Sequence, residues 1–322
     1  VYAMITSNLE KSIADALYMP FFSMITWTGW IGWRRYRQGL MIRAHKTSLI
    51  GFGTVIRFAA LVIASLVCYW LKVPIILCVT WGLLASVIAE AFVIFFLSRN
   101  IEKDLPENNT PPASMGKMWG FHAPLMATTM LNLGTFPLIT LACARASDPE
   151  LHMAAWQLSL SFVWLFRTAV YALPELVIST YSPENEAHLR RFCLIVGGVL
   201  SGIMAVLALT GAPHAAFAML PNQSPGIVPL AAAAFGIQFA LPLLGAFQNY
   251  IRGVLTALHF TKARMYSVAV GFSTLLIVLA AGAYTHTSGV QNASLALTLS
   301  LITEAVALII ALNLVRKRIT TA

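Results

Sequence analysis

Residues 192–210 read FCLIVGGVLSGIMAVLALT, nineteen residues with neither a charge nor a proline. A bilayer's hydrocarbon core is about 30 Å thick and takes about 20 apolar residues in helical form to cross. This run therefore has the length of one crossing, and Arg190 and Arg191 stand directly before it. The rest of the chain has the same character. Of its 322 residues, 58% are hydrophobic and only 10% charged, with a mean hydropathy of +0.77. Soluble domains carry roughly 25% charged residues. The composition excludes a water-soluble enzyme, a disordered chain and a coiled coil, and predicts an all-α polytopic membrane protein.

Eight further apolar segments join the first, which predicts nine spans: Ile13–Trp33, Ser48–Leu71, Pro74–Leu97, Met118–Ala142, Leu151–Ser179, Phe192–Thr210, Ile227–Thr256, Met265–Tyr284 and Leu295–Val315. They are too long and continuous for barrel strands. The net charge of +9 would suggest nucleic acid in a soluble protein, but here it reads as topology. Alternate loops hold Arg34, Arg35, Arg37, Arg43 and Lys46; Arg99, Lys103 and Lys117; Arg190 and Arg191; Lys262 and Arg264; and Arg316, Lys317 and Arg318. The opposite loops hold only Lys11, Lys72 and Arg145. Basic residues accumulate on the cytoplasmic side. The expectation is a cytoplasmic C-terminus, an external N-terminus, and residence in a bacterial inner membrane among lipids as a monomer.

Ser98–Lys117 (SRNIEKDLPENNTPPASMGK) is the longest polar stretch and holds three prolines. It reads as a cytoplasmic linker at 98–117, between the second half of an N-terminal lobe (1–97, three helices) and a C-terminal lobe (118–322, six helices). The sequon at Asn108 would then face the cytoplasm. Cys68, Cys78, Cys143 and Cys193 lie in or beside apolar segments without metal-ligand spacing and read as small buried hydrophobes. No metal site and no cofactor are expected.

Sliding the chain by 214 residues places Tyr36, Gly39, His45 and Thr47 on Tyr250, Gly253, His259 and Thr261. The same offset places Ser86, Ile88, Glu90 and Ala91 on Ser300, Ile302, Glu304 and Ala305. An internal repeat is the reading. It lays spans 1–3 on spans 7–9, a six-helix unit whose copies run parallel. Spans 4–6 then lack first-copy partners, so the expectation is a twelve-helix parent of about 420 residues, counting about thirty to thirty-five per missing span and loop.

Two six-helix lobes with a cytoplasmic linker resemble the MOP flippase superfamily, which includes MATE exporters and polysaccharide and lipid II flippases. Tyr36–Phe58 (YRQGLMIRAHKTSLIGFGTVIRF) is similar to its fourth-to-fifth helix junction. Gly116–Pro124 (GKMWGFHAP), Tyr250–Leu255 (YIRGVL) and Thr303–Arg318 (TEAVALIIALNLVRKR) resemble the progressive ankylosis protein and its bacterial relatives. The resemblance implies a secondary transporter or flippase, not an enzyme, with two lobes rocking about a cavity. Relatives carry lipid-linked saccharides, small organic anions or cationic drugs. Leu173-Pro174-Glu175-Leu176 matches no motif of the family.

Ionisable residues inside spans are costly and point to function. Arg57 and Glu90, on adjacent antiparallel spans, are expected to form a structural ion pair. Glu304 matches Glu90, but Gly271 occupies the position matching Arg57. Glu304 is therefore expected to lack a fixed cation, which would suit proton or sodium coupling; a pair with Arg252 or Arg167 is the alternative. Arg167 should face a cavity and could meet an anionic headgroup or substrate, and Glu175 lies too far along the same span to pair with it. Gln238, Gln248, Asn249 and Arg252 mark one polar side of a span kinked at Pro242, and Asn132 is a further cavity candidate. Arg252 alone could instead snorkel to the cytoplasmic interface.

Two other classes compete. A membrane-embedded transferase needs clustered carboxylates for Mg²⁺-diphosphate, or a histidine beside an acid. Asp15, Asp104 and Asp148 are the only aspartates and none is clustered. A non-transporting structural subunit is the other.

Overall fold

A computed structural model describes residues 11–44, 46, 48–104, 113–220, 226–285 and 287–321. Val1, His45, Thr47 and the sequon at Asn108 lie outside the described residues, as does the middle of the expected linker. All regular structure among the described residues is helical. The chain divides into two compact units, residues 1–111 and 112–322.

The first unit contains α1 (Lys11–Met24), α2 (Trp27–Arg43), α3 (Ser48–Trp70) and α4 (Ile75–Ser98), followed by a short 3-10 turn at Ile101–Asp104. Helix α4 packs against α3, α2 and α1. Gly53 makes the α3–α4 approach close, since a Cβ there would sit 3.0 Å from Ile94. Phe58, Ile63 and Trp70 of α3 remain exposed, as expected where lipid rather than water is the solvent.

The second unit contains α5 (Met115–Ala144), α6 (Pro149–Arg167), α7 (Leu173–Thr180), α8 (Glu186–Thr210), α9 (Ala212–Ala218), α10 (Ile227–Ile237), α11 (Leu241–Ala257), α12 (Thr261–Tyr284) and α13 (Gly289–Thr321). Its core gathers Trp156, Phe217, Phe235 and Leu275, with a second cluster around Tyr250, Leu255 and Leu308. Helix α13 packs on α12, α11 and α10, as α4 does on its three predecessors. Small residues set the closest approaches. A Cβ at Gly197 would meet that of Ala246 at 2.6 Å, and one at Gly253 would meet Val177 at 2.7 Å.

Among the described residues, seven helical stretches are long and apolar enough to cross a membrane, with Pro149–Thr180 (α6, a 3-10 turn and α7) as one of them, or eight if the α10–α11 pair, bent by 42°, forms one span. These match eight of the nine expected spans, the build of a multi-pass membrane protein. The exception is Ile13–Trp33, which is not one helix. The chain turns at Ile25–Thr26, leaving α1 with 14 described residues and α2 with 17. Thr26 and Thr28 donate their hydroxyls to the carbonyls of Ser23 and Ile25, each at 3.3 Å, in local competition with the helical ladder. Helix α2 then continues to Arg43, so Arg34, Arg35 and Arg37 are helical and not loop residues.

At two breaks in the second unit side chains bond to backbone groups, as an apolar environment favours. Pro174 has no N–H to offer the Val170 carbonyl, four residues back. Asn249 donates its side-chain amide to that carbonyl at 3.0 Å. Beyond Pro242, the Leu243 N–H finds the Ser201 hydroxyl at 2.9 Å. The break before α11 (238–240) and the turn before α2 (25–26) are 214 residues apart. The same spacing separates both ends of α2 from those of α11, the end of α3 from that of α12, and the start of α4 from that of α13.

Candidate functional site

Each unit buries one glutamate on its last long helix. In the first unit Glu90 is fully buried. Arg34 donates from Nη1 to Glu90 Oε2, Gln38 donates to Oε1 at 3.4 Å, and Arg57 Nε lies 3.8 Å from Oε2. Arg34 and Gln38 sit one turn apart on α2 and so share a face. The expected Arg57–Glu90 pair is therefore present only as the longer contact. Arg34 is the nearer cation, because α2 extends far enough to carry it into the interior.

In the second unit Glu304 is 4% exposed. Arg252 donates from both Nε, at 2.8 Å, and Nη2 to Glu304 Oε1. Of the two readings of Glu304, the pair with Arg252 is the one present: Glu304 has a fixed cation, and Arg252 does not snorkel away. The reason is local. A Cβ at Gly271 would lie 2.8 Å from both the Glu304 Cβ and the Ser300 carbonyl, so α12 meets α13 backbone to backbone and leaves no room for an Arg57-like cation. The cation comes from α11 instead. At the 214-residue offset Arg252 matches Gln38 and Gln248 matches Arg34. Both units thus place an arginine and a glutamine one turn apart near the glutamate, in opposite order. Gln248 gives its amide to the Leu301 carbonyl at 2.8 Å.

Beside this pair lies a cavity of about 140 Å³ among α5, α6, α11, α12 and α13. Its polar lining includes Asn132, Arg167, Gln248, Asn249, Arg252 and Glu304, with Tyr171 and Phe136 as aromatic walls. Arg167 ends α6 and is 8% exposed. Its guanidinium stands over the Tyr171 ring at 5.6 Å, and Tyr171 stacks on Trp164 at 5.2 Å. Arg167 Nη1 is buried without a hydrogen-bond partner among the described residues.

Six of the eight candidate pathway residues thus meet at one cavity. Gln238 and Glu175 do not line it. Gln238 is fully buried and donates to the Ser294 hydroxyl at 3.1 Å. Glu175 lies on the exposed first turn of α7. Arg34, Gln38 and Tyr171 were not singled out from the sequence. The one-turn spacing of Arg34 and Gln38, repeated at Gln248 and Arg252, is the signal that could have found the first two.

A separate cluster ties α8, α11 and α13 together. Glu186 accepts from Arg316, from the Tyr250 hydroxyl at 3.0 Å and from the Tyr181 hydroxyl at 3.4 Å. Burial, and then the neighbouring Glu186 carboxylate, push the Tyr181 phenol above its ordinary value. All four cysteines are buried and unbridged. Among the described residues no three His, Cys, Asp or Glu side chains gather as a metal site. No family model, curated protein or solved structure matches the chain.

Proposed function

We propose that the chain is a secondary transporter or flippase of an inner membrane, working by alternating access, with the Arg167 cavity on its substrate path. One observation carries the reading. Three ionisable side chains, Arg167, Arg252 and Glu304, border one cavity within span-length apolar helices. Burying them is expensive, and Arg167 has no ion-pair partner among the described residues to repay that cost. The broken α10–α11 pair beside the cavity suits a moving element, since discontinuous helices line sites in many transporters.

The shared helix boundaries at one offset, together with Glu90 and Glu304, support a duplicated unit. This is the plan that the MOP superfamily resemblance implies. The basic residues at the remaining alternate helix ends, without Arg34, Arg35 and Arg37, support a cytoplasmic C-terminus. The test is reconstitution in liposomes adsorbed on a solid-supported membrane, followed by rapid solute, sodium and pH jumps. The wild type gives a charge-displacement transient with at least one solute class, and Glu304→Leu suppresses it. Silence of the wild type across organic anions, organic cations and lipid-linked sugars, with the protein folded and inserted, overturns the proposal.

A further inference from the structure

We infer that the cavity beside Arg167 is a binding site for an anionic group, a phosphate or carboxylate, and that the substrate carries one. The assignment rests on the transport reading of this cavity and names its substrate class.

The first argument is charge. Arg167 and Arg252 are cations, and among the described residues Glu304 is the only carboxylate lining the cavity. Glu304 Oε1 is engaged by Arg252, and its Oε2 points toward Gly271, 3.4 Å from where a Cβ would be. One positive charge is left over, on Arg167. A guanidinium cannot lose its proton in a protein, and an unpaired buried charge is strongly destabilising. An apolar membrane interior keeps such a group only if something pairs with it.

The second argument is geometry. Tyr171 covers one face of the guanidinium, so partners must approach its edge, where its N–H groups point. The edge is the face that takes a carboxylate or phosphate, with two parallel hydrogen bonds. Nη1 is the edge atom without a partner among the described residues.

Further donors surround the site. Gln248 and Asn249 each commit one amide hydrogen to a backbone carbonyl, of Leu301 and Val170. An amide has two donor hydrogens, so each retains one. Asn132 adds another amide from the more exposed wall. A site of donors with one net positive charge discriminates against cations.

The third argument is size. A water needs about 15 Å³ of such a cavity, so 140 Å³ admits a compact anionic group with a few waters. It does not admit a whole lipid or an extended saccharide, whose remainder would lie outside. The shared chemistry fits both a free solute and the headgroup of a lipid-linked one.

The experiment uses the purified full chain in detergent. Melting temperature and calorimetric binding are measured with inorganic phosphate, citrate, a short-chain phosphatidic acid and tetramethylammonium. Wild type is compared with Arg167→Gln and Arg167→Met. The inference predicts a rise in melting temperature with at least one anion and none with tetramethylammonium. It predicts binding about thirtyfold weaker or worse in Arg167→Gln, as when one partner of a buried charge pair is truncated. It also predicts that Arg167→Met, tested without anion, melts no lower than wild type, because it removes an unpaired charge. A response to phosphate or citrate identifies a free solute; a response to phosphatidic acid alone identifies a headgroup.

If Arg167 only braces its unit, Arg167→Met melts lower in anion-free buffer and any anion shift survives in both variants, which overturns the inference. Stabilisation by tetramethylammonium alone also overturns it. Anion binding that depends on Arg167 without any transport current would refute the transport reading while leaving the site. Transport of cations only would do the reverse.

Discussion

Removing either partner of the Arg252–Glu304 pair should destabilise the second unit, but unequally. The two side chains are 11% and 5% exposed, so solvent screening does little to weaken the argument. Breaking a buried pair by deleting one member costs about 3–5 kcal/mol. In Arg252→Met the stranded Glu304 can escape by taking a proton. For an ordinary glutamate at pH 7 this costs about 3.7 kcal/mol, from 1.36 kcal/mol for each of about 2.7 pH units. That figure is a ceiling, and it drops by about 1.4 kcal/mol for each unit of acidification. In Glu304→Leu the stranded Arg252 has no such escape, so its loss has no pH-set ceiling between pH 5 and 8. Arg264, held by the Thr256 hydroxyl at 3.0 Å, lies within electrostatic reach of Glu304 and softens the loss of Arg252, which adds to the inequality between the two variants. The double variant Arg252→Met/Glu304→Leu removes both charges and should return to within about 1–2 kcal/mol of wild type or exceed it. Unfolding in mixed SDS micelles, followed by tryptophan fluorescence, measures all four proteins at pH 6 and 7.5. The expected order of stability is double variant, then Arg252→Met, then Glu304→Leu, with only Arg252→Met recovering at pH 6. Two outcomes refute the reasoning: single variants as stable as wild type, or a double variant no better than its worse parent.

Other consequences follow from the same geometry. Arg34→Gln should cost less than Arg252→Met in the same unfolding assay, because Gln38 and Arg57 still reach Glu90. The exchange Arg34→Gln/Gln38→Arg, which copies the order of the second unit, should fall within about 1 kcal/mol of wild type. Gly271→Ala should lose about 1–3 kcal/mol through overpacking, since the atoms it meets include the Ser300 carbonyl and backbone cannot swing aside. A C-terminal reporter fusion that is active only in the cytoplasm should be active, and one placed after Lys72 should be silent.

How far the sequence reached depended on what each residue had to say locally. The charge-free run at 192–210 announced a span because length and apolarity alone decide that property. The 214-residue correspondence was visible because Glu90 and Glu304 stand out in apolar surroundings. Arg34 was misread for the converse reason. It lies in a run of basic residues that, read without structure, ends a span, yet α2 carries it on to a buried carboxylate. The break at Ile25–Thr26 has no proline to mark it, only threonines whose hydroxyls bond backward. Glu304's partner depended on the closeness of α12 and α13 at Gly271, a packing distance that no single stretch of sequence encodes.

Whether Arg167 handles an anion in a moving protein is the central question. Proteoliposomes on a solid-supported membrane, challenged with a jump in phosphate- or carboxylate-bearing solute, measure that directly. The account predicts a transient charge displacement in wild type that vanishes in Arg167→Gln while its anion-free melting temperature holds. Equal transients from the two proteins would contradict it.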